Sequence, residues 1–184
     1  MMWDLPTTVE IDGVSHKIRN NCDYRVVLDV IAALTDEELN DTERVACGLK
    51  IFYADAGEIQ NVEAAIIEML RIINLGEEVS GEEEEKPKVM DWEHDFNHIA
   101  PPISRVLGYS VRDSKRYTHW YDFLGAYSEI GECTFSTIVS IRQKKLKGKK
   151  LEDWEREFYR ENKKMVDLPY KLTSEEREWL DSDW

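Results

Sequence analysis

Cysteine is scarce in this chain. Cys22, Cys47 and Cys133 stand far apart and no two form a Cys-x-x-Cys pair. That excludes a disulfide scaffold and a paired-cysteine zinc or redox motif. No histidine-rich or cationic neighbourhood flanks them, so they read as small core or half-buried residues rather than reactive thiols. A run of 18 apolar residues is missing too, so no membrane span is expected. Met1–Pro6 has no basic region leading into an apolar stretch, so no secretory signal is expected. The Gly-rich phosphate loops and the Gly-x-Ser-x-Gly elbow are absent. Carboxylates are too abundant for any pair to stand out as general acid and base. These absences point to a soluble, intracellular protein, in which no residue pattern identifies an enzyme or calls for a cofactor.

What is present is apolar enough to fold. Of 184 residues, 42% are hydrophobic and 10% aromatic, which supports one domain or two small ones despite 34% charged residues. Acidic residues outnumber basic ones by 38 to 24, a net charge of -14. Such a surface repels a phosphate backbone, so nucleic acid is disfavoured as a partner. The charge is uneven. Residues 1–75 hold 14 acidic and 6 basic side chains, residues 76–91 hold 7 and 2, and residues 92–184 hold 17 and 16. The stretch from Gly76 to Pro87, with its four-glutamate run, reads as a solvated spacer. The expected organisation is an N-terminal hairpin plus helical domain (1–75), an acidic linker (76–89) and a C-terminal helical domain (90–184).

Periodicity fills in the elements. Asp12-Gly13 between Thr8–Ile11 and Val14–Ile18 predicts a hairpin. Asp23 caps a helix with Val26, Val27, Val30, Ile31 and Leu34 on one stripe. Thr42 is the expected cap of the next, which buries Val45, Leu49, Ile51 and Phe52. A third helix runs from about Asn61 to Leu75 and closes at Gly76. Its apolar residues, Ile66, Ile67, Leu70 and Ile73 among them, cover more than one face, so it is either central in its domain or packed on a partner. In the second half, Trp92, Phe96 and Ile99 form a stripe that Pro101-Pro102 should interrupt, with a short helix restarting there and ending at Gly108. Tyr117, Trp120, Tyr121, Leu124 and Tyr127 share helical spacing. Thr134 caps a helix carrying Phe135, Ile138 and Val139, and Leu151, Trp154 and Phe158 mark another. Thr173-Ser174-Glu175-Glu176 is a capping box before Trp179 and Leu180. The fold class is mainly α: a small N-terminal β-hairpin followed by two short helical bundles joined by an acidic linker.

Three clusters could carry chemistry. His94 and His98, four apart and beside Asp91 and Asp95, are weak metal-ligand candidates that lack the His-Glu-x-x-His order. A solvated helix face explains them as well. Arg142, Lys144, Lys145, Lys147, Lys149 and Lys150 place six positive charges in nine residues. They suit phosphate, the acidic first segment or an acidic partner patch. The aromatic cluster Tyr117, His119, Trp120, Tyr121 and Phe123 lines a pocket or, as its helical spacing favours, fills a core.

Several blocks carry a family resemblance. The hairpin around Ile11-Asp12-Gly13, leading to Asp23-Tyr24-Arg25, resembles the start of a bacteriophage family named after gene product fifteen of a phage of Gram-positive bacteria. Thr118-His119-Trp120-Tyr121-Asp122-Phe123-Leu124 and Phe135-Ser136-Thr137-Ile138-Val139-Ser140-Ile141-Arg142 are similar to two of its blocks, and the likeness spans roughly residues 8–175. It implies a tail assembly chaperone that binds the helical tape-measure protein while tail-tube subunits polymerise. Such a protein would act in the host cytoplasm during infection or prophage induction, and be absent from the mature virion. Self-association remains open. The partner-binding candidates are then Ile66, Ile67, Leu70, Ile73, Tyr117, Trp120, Tyr121, Arg142, Lys144 and Lys145. A structural neck or tail component retained in the virion, and a small metal-dependent enzyme built on His94 and His98, are the alternatives.

Overall fold

Asp12 and Gly13 adopt positive φ angles of 51° and 80°, the geometry that a tight hairpin between right-twisted strands requires. They join β1 (Thr8–Ile11) to β2 (Val14–Lys17) in antiparallel register, Thr8 opposite Lys17 and Ile11 opposite Val14. In this computed structural model residues 4–77 and 87–169 are described. The helices among them are α1 (Tyr24–Leu34), α2 (Asp41–Phe52), α3 (Val62–Ile73), α4 (Trp92–Leu107), α5 (Trp120–Ser128), α6 (Thr134–Leu146), α7 (Asp153–Glu161) and α8 (Lys163–Val166). The mainly helical reading with an N-terminal hairpin therefore holds. Most of the acidic stretch 76–89, and the capping box at Thr173, lie outside the described residues. No described helix is long and apolar enough to cross a membrane. The described chain divides into two compact units, residues 4–77 with 117–124, and residues 87–116 with 125–169.

In the first unit, Asp23 caps α1 by accepting the Arg25 N–H at 3.0 Å. The cap of α2 is Asn40, not Thr42. Asn40 is extended, accepts the Glu43 N–H at 3.0 Å, and donates its own N–H to the Glu43 carboxylate at 3.0 Å. That reciprocal pair satisfies two donors where a lone threonine would satisfy one. Arg19 closes the other end of α2, donating to the carbonyls of Ile51, Lys50 and Tyr53 at 2.9, 2.8 and 3.0 Å. A cation there complements the negative end of the helix. Val26, Val27 and Val30 of α1, Phe52 of α2, and Ala65, Met69 and Ile72 of α3 are buried together with Val9 and Ile11. The buried Tyr53 hydroxyl donates to the Ala65 carbonyl at 2.9 Å.

Residues 117–124 complete this unit. Periodicity placed Tyr117 on a helix, but residues 117–119 run extended and α5 starts at Trp120. The cause is pairing with the stretch before α1. Tyr24 N–H donates to the Thr118 carbonyl at 3.0 Å, Trp120 N–H to the Cys22 carbonyl at 2.9 Å, and Thr118 N–H to the Asp23 carboxylate at 3.2 Å. Backbone partners 95 residues away override local spacing. Phe123 stacks on Tyr24 with ring centroids 4.3 Å apart.

In the second unit α4 runs unbroken through Pro101 and Pro102 to Gly108, whose φ of 75° ends it. The expected interruption does not occur. The two prolines remove two N–H donors, yet their fixed φ suits a helix. The buried Ala100, Pro102 and Ile103 hold the turn in place by packing. A cleft of about 370 Å³ lies between residues 97–105 of α4 and Cys133–Thr134 at the start of α6. Cys133 rather than Thr134 is the N-cap of α6, its N–H bonded to the Ser136 hydroxyl at 2.9 Å. Ile138 and Ile141 pack with Val166 of α8, covered by Leu151, Phe158, Tyr159 and Met165.

Candidate partner-binding surface

The heptapeptide pattern of α3 puts Ala65, Met69 and Ile72 at i, i+4 and i+7, and these three are buried. The helix carries more apolar side chains than that stripe can bury. Ile67 is 58% exposed and Val62 50%, while Ile66, Leu70 and Ile73 are half-buried. Leu75, just past the helix, is 49% exposed. The result is an apolar strip along the outward side of a helix whose inward side already has its core. Such strips mark interaction sites more often than scattered surface hydrophobics do. The inward face is the core that the first reading of this helix expects, and the outward face is apolar surface that the interior leaves uncovered.

The aromatic candidates belong to the same unit. The Trp120 indole N–H donates to the Ile73 carbonyl at 2.9 Å, which anchors the segment against the end of α3. That ring is only 2% exposed, so Trp120 serves the interior and is corrected as a contact residue. His119 is fully buried. Its Nδ1 accepts the Tyr121 N–H at 3.0 Å, so the ring proton resides on Nε2, 3.0 Å from the Pro6 carbonyl. Tyr117 is half exposed, and its hydroxyl donates to the Asn21 carbonyl at 2.7 Å. Burial, reinforced by Cys22 and Asp23, pushes that phenol up to about 12, so it stays a neutral donor. Tyr121 is half-buried, its hydroxyl 3.8 Å from where a Cβ on Gly76 would stand.

The basic candidates lie in the second unit and are engaged there. Arg142 is buried and all five of its N–H donors are used. Nη1 and Nη2 grip the Asp95 carboxylate at 2.6 and 2.8 Å, and Nε donates to the Val166 carbonyl at 2.5 Å. The remaining two donate to the carbonyls of Val89 and Met165, each at 3.1 Å. Lys144 pairs with the buried Glu155 at 2.6 Å. Lys145 meets Asp167 at 2.6 Å and the Tyr159 hydroxyl at 2.7 Å. Burial alone would raise the carboxyls of Glu155 and Asp167. The bonds from Lys144 and the Glu152 N–H, and from Lys145 and Tyr159, outweigh it and leave both below the usual range. Arg142 is therefore an internal clasp, Lys144 is half-buried, and Lys145, Lys147, Lys149 and Lys150 of the run are exposed.

His94 and His98 are half-exposed on α4. Asp95, the carboxylate between them, is committed to Arg142 and to the Asp91 N–H at 3.0 Å. Among the described residues no three His, Cys, Asp or Glu side chains gather as metal ligands.

Spacing alone pointed at Arg142. Phe135, Ile138 and Arg142 sit at i, i+3 and i+7, so the arginine falls on the buried stripe, a signal that the surrounding lysines masked. Val62 and Leu75 were missed as surface residues because they flank the helix ends. A family model described as Bacteriophage Gp15 protein matches residues 2–168. No curated protein and no solved structure gives a match.

Proposed function

Since the chain belongs to the bacteriophage Gp15 protein family, we propose that it is a non-enzymatic tail assembly chaperone that holds the helical tape-measure protein while tail-tube subunits assemble around it. The outward apolar strip of α3 is the observation that carries this reading. A long helix with bare apolar stripes aggregates unless a matching apolar surface covers them, and helix-in-groove docking is the common solution. The net charge of -14 would keep the complex in solution. In this reading the protein works in the host cytoplasm and leaves before the particle is finished.

The test is co-expression with the long helical protein encoded beside it, followed by pull-down at moderate salt. Co-purification together with a rise in the partner's soluble fraction supports the chaperone role. An insoluble partner with nothing captured, or finding the chain in purified finished particles, overturns it.

A further inference from the structure

The apolar strip of α3 has acids at both of its ends. At the N-terminal end, Asp12 of the hairpin turn accepts a hydrogen bond from Asn61, the α3 cap, at 2.9 Å, and Glu63 sits exposed in the first turn beside Val62 and Ile67. At the C-terminal end, Glu77 follows Leu75 and Gly76 and is exposed. The helix has one cation, Arg71, and Glu68 holds it with two hydrogen bonds at 3.1 and 2.5 Å. Apolar contact in the middle and negative charge at each end define the complement.

We propose that this surface takes an amphipathic helix whose apolar stripe is bracketed by lysines or arginines. The 12 residues of α3 span about 18 Å. The basic residues of the partner therefore stand about 12 positions apart along its helix, with leucine-like residues between them at i, i+3, i+4 and i+7 spacing. This deepens the chaperone reading and rests on it for the partner's identity, though not for the surface. Charge here decides which helix is accepted and how fast it arrives, while the apolar strip supplies the hold.

Two synthetic 21-residue helices test this against the full chain. Both carry the same leucine stripe, one bracketed by lysines and the other by glutamates. The lysine helix is expected to bind about tenfold more tightly, the sum of several exposed pairs, and to lose that advantage at 0.5 M salt. Ile67→Gln should weaken both helices. The triple variant Asp12→Asn, Glu63→Gln, Glu77→Gln, which keeps an Asn-Gly turn in the hairpin, should abolish the preference while its melting curve stays unchanged. Equal binding of the two helices overturns the proposal, as does a dimer of this chain that Ile67→Gln disperses, since the strip would then serve a second copy. The chaperone reading fails separately. If the co-expressed neighbour binds regardless of salt and of the triple variant, the charge rule falls and the chaperone role stands. If the lysine helix binds with the stated pattern and the neighbour does not, the surface stands and the chaperone role falls.

Discussion

The two units place charge in opposite ways. The first holds 16 acidic and 6 basic side chains, the second 12 and 15. In the first, apolar packing and backbone bonds do most of the holding, and Arg19, Arg25 and Arg71 work at or near its surface. Arg19 closes α2, and Arg25 and Arg71 sit on Asp23 and Glu68. In the second, charge enters the interior through Arg142 on Asp95 and Lys144 on Glu155. The difference teaches where to look for a partner. A run of cations that folds back on its own carboxylates is structure. An apolar excess on a helix with a complete core is surface that the interior does not use.

The largest effect that would break this comparison is at Arg142. Arg142→Ala would strand the fully buried Asp95 carboxylate, and removing one member of a buried pair costs about 3–5 kcal/mol. Urea denaturation measures it. The double change Arg142→Met with Asp95→Leu should recover much of the loss, since no charge is then left buried. A single-variant cost below about 1 kcal/mol would mean that the second unit does not depend on its internal charge.

Acid and alkali should separate the units next. Glu155 and Asp167 have folded pKa values below their unfolded ones. Their contribution is therefore present above the unfolded carboxyl range near 4 and is lost as pH falls through the folded values. The first unit has the reverse signature. Burial raises Cys22 to about 12 and raises Tyr53 as well. Above about pH 9 the unfolded chain loses these protons before the folded one does, so stability falls as pH rises. Isoleucine methyl NMR, read at Ile138 and Ile72, should show the second unit loosening first in acid and the first unit loosening first in alkali. Cys22→Ala should reduce the alkaline loss, and a common profile at both probes would collapse the distinction.

Local signals in the sequence reached as far as local physics did. Asp12-Gly13 declares a hairpin because two consecutive positive φ angles need such residues, and Asp23 declares a cap because its side chain serves an N–H two residues on. Thr118 and His119 could not be placed from their surroundings, because their backbone partners are Cys22, Asp23 and Tyr24. Arg142 was legible in part: its spacing from Phe135 and Ile138 puts it on the buried stripe of α6, but its partner Asp95 lies 47 positions away with nothing local to announce it. Pro101-Pro102 misled for a different reason. Proline removes hydrogen bonds, but burial of Ala100, Pro102 and Ile103 outweighs that loss. At α3 the periodicity showed too much apolar surface for one face, and only the fold could say which residues remained outside.

A smaller effect concerns the end of that helix. Leu75 has a φ of 58°, a left-handed conformation that an L side chain adopts at a cost of about 1 kcal/mol. Leu75→Gly should raise the stability of the first unit by up to that amount, read as a higher melting temperature. A loss of stability would show that the half-exposed leucine packs as core, which would move the edge of the apolar strip inward.

The smallest expected effect discriminates most sharply. Ile67→Gln keeps a good helix former on α3 and removes a side chain that is 58% exposed, so folding stability should change by about 0.5 kcal/mol or less. Ile72→Gln, five residues along the same helix on the buried stripe, places an amide where nothing is ready to bond it and should cost about 3 kcal/mol or more. Denaturation of the pair of variants compares the two sides of one helix with backbone, length and capping held constant. If the two costs are alike, α3 has no free side, its surplus of apolar residues is core, and the contrast between a unit held by charge and one that offers an apolar surface disappears. If they differ as expected, any loss of partner binding in Ile67→Gln cannot be assigned to unfolding and belongs to the surface itself.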